Sequence, residues 1–343
     1  VGGGAMPQEK PVVAALPDGG FVVAWHGYDS AGGGDDVDVY IKVCGVTITP
    51  AMGLFPAEVS ASCGTSIRAN TTDDQAQVNP TVAVAATTER IILAWEDWSP
   101  YGEGIAPWNL SGIRYRMFDL DGRATTDFAT DRLANFTTDD VQAEPSVAAL
   151  ESGDFIIAWS DAGGAALGSD GFEVRARIFD AAGDPTTADD FVVNLARMTY
   201  EQYEPTTAPV EAPVPGFLVA WTSMEDLGGL AVRANFVQAT GVVTATTETI
   251  LPMSVGGSQF APSAASDNSV PTGTVVAVVG TAGPGPAPAG AGPAGGGALD
   301  AQDLRGVGPE ERPAQLEEQE LDLGAGVRRR AHRVTIWPAS PID

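Results

Sequence analysis

One stretch of about eighteen residues recurs along this chain at a spacing of roughly 60 residues. QEKPVVAALPDGGFVVAW at Gln8 to Trp25 returns as QVNPTVAVAATTERIILAW at Gln77 to Trp95, as QAEPSVAALESGDFIIAW at Gln142 to Trp159, and as QYEPTTAPVEAPVPGFLVAW at Gln202 to Trp221. A fifth copy opens at Gln259 as QFAPSAASDNSVPTGTVVAVV. Units this short cannot bury a core alone, so the repeat requires an architecture in which neighbours stack and cover one another.

Each unit reads as strand. After every Trp comes a polar loop rich in Gly and Asp, then an alternating segment: DVDVYIKV, SGIRYRMFDLDG, FEVRARIFDAAG, LAVRANFVQATG. Alternation at period two marks a strand with one buried face. The continuous apolar run Phe21-Val22-Val23-Ala24-Trp25 marks a strand buried on both faces. Turn residues at Asp18-Gly19-Gly20, Ser152-Gly153-Asp154, Asp121-Gly122 and Ala182-Gly183-Asp184 fall where hairpins reverse. A short apolar stretch ends each module. The expectation is an all-β chain, a β-propeller of four-stranded antiparallel blades. It has four full modules, about 8–76, 77–141, 142–201 and 202–258, and a partial fifth at 259–280, together a repeat domain over 8–280. β-Sandwiches need about 100 residues per domain, more than a module supplies.

The repeated residues read as architecture. Trp25, Trp95, Trp159 and Trp221 are expected to pack between blades, with sugar stacking as the competing role. The prolines suit strand starts. Gln8, Gln77, Gln142, Gln202 and Gln259 are expected to bind backbone groups of a neighbouring blade.

The pattern Q-x-x-P-x-V-A-x-L-x-x-G-x-F-x-x-A-W followed by R-x-F-D-x-x-G, clearest in Gln142 to Trp159 and Arg177 to Gly183, resembles repeats of large secreted bacterial proteins of the RTX and adhesin type. The resemblance covers residues 8 to 280. It implies a propeller-type module that is secreted or on the cell surface, and it names no activity. The fourth module departs from it, with Pro213 to Gly216 in place of the turn glycines and Phe236-Val237 in place of Phe-Asp.

Charge narrows the partners. Forty-five acidic residues against 18 basic ones give a net charge of −27 over 343 residues. Such a field repels phosphate, so no nucleic-acid partner is expected. No apolar run is long enough for a membrane span. The N-terminal VGGGAMPQEK lacks the basic start and apolar stretch of a signal peptide, and the missing initiator Met suggests a processed or fragmentary chain. Cys44 and Cys63 flank one loop and are expected to form a disulfide, which favours an oxidising compartment. Asp29, Asp35, Asp36 and Asp38 in a Gly-rich loop offer oxygen ligands to calcium, and Asp119 with Asp121 form a weaker set. Solvated turns are the competing reading. Asn70, Asn109 and Asn135 head Asn-x-Ser/Thr triplets.

No catalytic motif surrounds His26 or His332, and the Asp boxes of sialidase-like propellers are absent from the sequence. The expectation is a binding or structural module for protein or carbohydrate partners. The alternative is an extracellular hydrolase with polysaccharide-cleaving carboxylates at the blade tops. From Thr281 the sequence turns to Pro, Gly and Ala, so 281–343 is expected to be a disordered tail, with a short helix near Glu310 to Leu321, or an out-of-frame translation after a one-base slip near Val278. The last two strands of the fifth blade are expected to be missing.

Overall fold

The computed structural model describes residues 7–28, 37–50, 58–72, 75–99, 111–138, 140–162, 171–195, 201–211, 214–224, 230–243, 249–250, 259–267, 275–282, 315–322 and 328–335. Strands dominate them, with a single 3₁₀ turn at Thr126–Phe128. The first sheet holds β1 (Gln8–Ala15), β2 (Phe21–Tyr28), β3 (Val37–Thr49), β4 (Glu58–Cys63) and β5 (Ile67–Arg68). The second holds β6 (Gln77–Ala85), β7 (Arg90–Asp97), β8 (Gly112–Phe118) and β9 (Arg132–Leu133). The third is β10 (Gln142–Ala149), β11 (Phe155–Asp161), β12 (Glu173–Phe179) and β13 (Phe191–Val192), and the fourth is β14 (Gln202–Val210), β15 (Gly216–Met224), β16 (Leu230–Gln238) and β17 (Thr249–Ile250). Sheets two to four run in chain order, every strand antiparallel to the next. The first strand of each sheet packs against the first strand of the following one. The sheets are therefore propeller blades.

The core lies between blades, because each blade is apolar on both faces. Val22, Ala24, Val39 and Ile41 of the first meet Ile91, Leu93, Trp95 and Phe118 of the second. Ile92, Ala94, Ile113 and Tyr115 of the second meet Phe155, Ile157, Trp159 and Phe179 of the third. Ile156, Ala158, Val174 and Ala176 then meet Phe217, Val219 and Trp221. Successive residues of one strand point to opposite faces, so a strand that serves two cores has no polar side. Trp95, Trp159 and Trp221 are fully buried in these seams.

Polar clasps lock the same seams. The Arg116 guanidinium donates to the Ala69 carbonyl of the preceding blade at 2.7 Å, and Arg177 does the same to Ala134 at 3.1 Å. Asp131 accepts from the backbone N–H groups of Thr71 (2.7 Å) and Thr72 (3.0 Å), as Asp190 accepts from Phe136 and Thr137. The Gln77 and Gln142 amides donate to the backbone carbonyls of Gln75 and Asp140, near the ends of the preceding modules, and accept from the side chains of Asn70 and Asn135 of those same modules. Those two asparagines are buried, each also accepting a third-strand N–H through its Oδ1, of Val39 and Ile113. In the folded chain they are closed to modification; Asn109 lies outside the described residues.

Two elements depart from the sequence reading. In the first blade, Tyr40 and Ile41 of β3 pair with β5, as Arg114 and Tyr115 of β8 pair with β9. The two-residue β5 is thus the fourth strand of the blade, and β3 runs on to form an inserted hairpin with β4 where a loop was expected. Cys44 and Cys63 are paired in that hairpin, at facing positions of its register. In the fifth sheet, β18 (Gln259–Asp267) and β19 (Val275–Ala282) are followed by β20 (Gln315–Asp322) and β21 (Arg328–Thr335), in the order β18-β19-β21-β20. The helix expected over Glu310 to Leu321 is therefore strand from Gln315, and the missing strands come from the tail. Their register sets Glu317, Glu320 and Asp322 opposite Arg333, Arg330 and Arg328. The Pro, Gly and Ala stretch at 283–314 lies outside the described residues.

Candidate functional site

Each Q-x-x-P heading breaks the ladder between the first two strands. The register jumps between Glu9 and Val12, Val78 and Thr81, Ala143 and Ser146, Tyr203 and Thr206, and Phe260 and Ser263. In the first four blades the two skipped residues, the Pro and the one before it, oppose a single Trp. This is a β-bulge, with the residue before Pro in the left-handed region: φ is +49° at Lys10, +50° at Asn79, +54° at Glu144 and +53° at Glu204. Glycine usually takes such a position, and a following Pro disfavours it further. Strain repeated in four blades re-aims these side chains.

They converge. Lys10, Asn79, Glu144 and Glu204, with Pro11, Pro80, Pro145, Pro205 and Pro262, line one cavity of about 320 Å³ where the first strands meet on the axis. The prolines make its wall rigid and supply its apolar share. The residues before them give it two carboxylates, an amide and an ammonium.

A second layer, formed by the residue after each Trp, holds the first. The N–H of Asn79 donates to His26 Nδ1 at 3.2 Å, that of Glu144 to Glu96 Oε2 at 3.2 Å, and that of Glu204 to Ser160 Oγ at 3.0 Å. The bulges of blades two, three and four are thus tied to the preceding blade. The Glu96 carboxylate also accepts from Asn79 Nδ2 (2.9 Å) and Trp98 Nε1 (2.8 Å). The Glu144 carboxylate accepts from Ser160 Oγ (2.8 Å) and the Glu204 N–H (3.0 Å). Thr222 Oγ1 donates to Glu204 at 3.2 Å. Burial pushes the Glu96 carboxyl above the usual range, against the hydrogen bonds from Asn79, Glu144 and Trp98 that pull it down. Burial also lowers His26, helped by Lys10 and opposed by Glu9. A neutral imidazole is what lets Nδ1 accept from Asn79.

Among the sequence candidates, the four tryptophans, Trp25, Trp95, Trp159 and Trp221, lie in the blade walls rather than at the cavity. Asp38 is buried and accepts from Asn70 Nδ2 at 2.6 Å, with Arg68 beside it at 3.5 Å, so it closes the blade edge. Asp29, Asp35 and Asp36 lie outside the described residues, among which no cluster of metal-ligating side chains occurs. Asp119 Oδ1 accepts from the N–H groups of Asp121 and Arg123, which shapes the turn before Gly122. The cavity residues were missed because they occupy the variable positions of a constant motif: Lys, Asn, Glu, Glu and Ala before Pro, and His, Glu, Ser and Thr after Trp. Constancy marked the scaffold, and variation marked the site.

Fold and site together define a β-propeller with a carboxylate-bearing pocket on its axis. No family model and no curated protein matches the chain. Among solved structures it is similar to an α-L-arabinanase of Penicillium chrysogenum complexed with arabinobiose, at 11% identity and a TM-score of 0.51, over 79% of this chain and 74% of that one. It is also similar to a Hadza microbial sialidase, at 12% identity and TM-score 0.48, and to a Trypanosoma rangeli sialidase, at 10% and 0.46. The chain spans 52% and 42% of those two sialidases. At such identities the likeness is one of fold.

Proposed function

We propose that the axial pocket takes a saccharide and that the chain hydrolyses a glycosidic bond there, with Glu144 and Glu204 as the working carboxylates. The observation that carries this reading is the repeated bulge, which spends backbone strain to bring two carboxylates from adjacent blades to the wall of one cavity. Two carboxylates flanking a bound sugar are the usual equipment for glycoside hydrolysis. A rigid wall in which apolar prolines alternate with polar side chains suits a sugar ring, which offers both apolar faces and hydroxyls. The arabinanase with the same fold holds arabinobiose, which supports a sugar ligand for this shape. The Cys44–Cys63 disulfide fits an oxidising compartment, so we place the chain outside the cell or on its surface.

A second reading, a module that binds saccharide or protein without cutting, is favoured by one observation. The carboxylates of Glu144 and Glu96 both accept hydrogen bonds that tie blades together, so they serve the fold as well. Purified chain offered neutral oligosaccharides separates the two. Hydrolysis that falls at least about 100-fold in Glu144→Gln and in Glu204→Gln, with unchanged melting, supports the first reading. Turnover that survives both substitutions defeats it, and binding without turnover in the unsubstituted chain selects the second.

A further inference from the structure

The face of blade one that turns away from blade two is built like the seams of the other blades but is uncovered. The three residues that face the preceding blade are fully buried in blades two, three and four: Ile91, Leu93 and Trp95; Phe155, Ile157 and Trp159; Phe217, Val219 and Trp221. Their counterparts Phe21, Val23 and Trp25 are only half-buried. Five residues after the heading Gln, Val13 is 66% exposed, whereas Val82 is half-buried against the first blade and Val147 and Thr207 are 6% and 7% exposed. Gln8 and Pro11 are exposed where Gln77, Pro80, Gln142, Pro145, Gln202 and Pro205 are buried.

We infer that this face docks a further blade of the same repeat. The interface it would continue is already made three times in this chain, with the same chemistry. The covering blade always contributes a branched residue and, two positions on, an alanine from its second strand: Val22 and Ala24, Ile92 and Ala94, Ile156 and Ala158. The small alanine leaves volume for the next blade's Trp, which shares its core. The residue after the covering blade's own Trp then accepts the N–H of the bulged residue, as His26 does for Asn79 and Ser160 for Glu204. The docked blade therefore carries a branched-x-Ala-Trp strand, followed by a side chain able to accept from the Lys10 N–H.

The fifth sheet does not meet this specification. Its register sets Val279 where the others have alanine, and Gly280 where they have Trp. The faces of blades two to four that bear the pattern are already engaged, so a second copy of the chain has none of them to offer. Docking would also add a bulged residue to the ring of Lys10, Asn79, Glu144 and Glu204, so the axial pocket is incomplete without it. This inference rests on the packing of the blades and holds whether or not the pocket hydrolyses sugar.

The test joins a copy of residues 142–201 carrying Trp159→Phe, so that the new outermost blade adds no exposed indole, ahead of Val1 in the full chain and follows amide hydrogen exchange in β1, with acrylamide quenching of tryptophan emission as a second readout. The expected result is at least tenfold slower exchange across Val12 to Ala15, approaching the rates of β6, and a loss of quenchable emission that a Trp25→Phe chain does not show. Ala158→Phe made only in the appended copy fills the space for Trp25 and should abolish both effects. Ser160→Gly in that copy should release the Lys10 amide alone. The inference is overturned if β1 exchanges as fast as in the native chain, whether the appended blade is itself protected or stays unprotected for want of a face to fold on. Protection of β1 in the native chain that grows with its concentration also overturns it, because a second copy would then be the cover.

Discussion

The tryptophan that closes each second strand is kept for its volume, while the partner of its indole nitrogen changes from blade to blade. Trp221 Nε1 donates to Gln202 Oε1 at 2.7 Å, Trp159 Nε1 to Asp161 Oδ2 at 3.3 Å, and Trp25 Nε1 to Gln8 Oε1. The buried Trp95 Nε1 has no partner among the described residues, because Gln77 Oε1 accepts from Asn70 at 3.0 Å and its amide nitrogen donates to Asp97 at 3.1 Å. A buried donor left unmatched costs about 1 to 3 kcal/mol. Trp→Phe should therefore differ between equivalent sites. Both substitutions lose indole volume, but Trp221→Phe also removes the 2.7 Å hydrogen bond from the indole to Gln202 Oε1, whereas Trp95→Phe removes a nitrogen with no partner among the described residues. Chemical denaturation should show Trp221→Phe costing about 1 kcal/mol more than Trp95→Phe. Equal costs would mean that volume alone decides.

At the scale of the element, the disulfide hairpin is an addition to a blade that is complete without it. β4 is exposed along its whole length, and Ile48 and Val59, which face each other across the hairpin, are exposed as well. Little but the ladder and the Cys44–Cys63 bond holds this arm. A cross-link between residues 19 apart is worth about 3 kcal/mol in the chain-entropy account. The paired Cys44→Ser and Cys63→Ser chain should lose up to about 3 kcal/mol, and its protection from hydrogen exchange should fall in Glu58–Cys63 while Ile67–Arg68 keeps its own. Loss of protection in both would show that the arm and the blade edge form one unit. The hairpin also shows where the sequence stopped being readable. Period-two alternation and recurring Trp and Pro revealed the strands of blades one to four, because burial on two faces imposes a pattern. The β4 segment EVSASC buries nothing, so it carries no such pattern. The fourth strands of blades one and two are two residues long, too short to show a period, and the sequences of β20 and β21 carry no apolar alternation. The cavity residues were hidden for a different reason, since their position depends on the sign of φ at a bulge.

Across the whole molecule, stability depends on seams between blades, and the seam between blades one and two carries a titratable latch. His26 Nδ1 accepts the Asn79 N–H at 3.2 Å only while the imidazole is neutral, which leaves the ring proton on Nε2, 3.9 Å from the Glu9 carboxylate. Burial holds its folded pKa below the ordinary 6.5. Above pH 6.5 both folded and unfolded chains carry it neutral, and the latch contributes fully. Below that value the unfolded chain takes up the proton more readily, so stability falls until the pH passes the depressed folded value. Glu96, at the next seam, has the opposite sign: its carboxyl is raised by burial, so its contribution grows as the pH falls toward the ordinary carboxylate range. Asp131 is outside this window. Burial raises it, but hydrogen bonds from Thr72 and Thr71 outweigh that and hold it low, so its contribution is lost only in stronger acid. Melting should therefore be followed at pH 7.5, 6.5 and 5.5 in the native chain and in His26→Gln, whose amide oxygen can accept from Asn79 without titrating. The native chain should lose about 1.4 kcal/mol for each unit by which the folded histidine is depressed. His26→Gln should show no such loss, and the influence of Glu96 should leave it slightly more stable at pH 5.5 than at 7.5. His332, the other histidine, is common to both chains and cancels in the difference. Parallel curves for the two chains would mean that the first seam does not depend on the charge of His26.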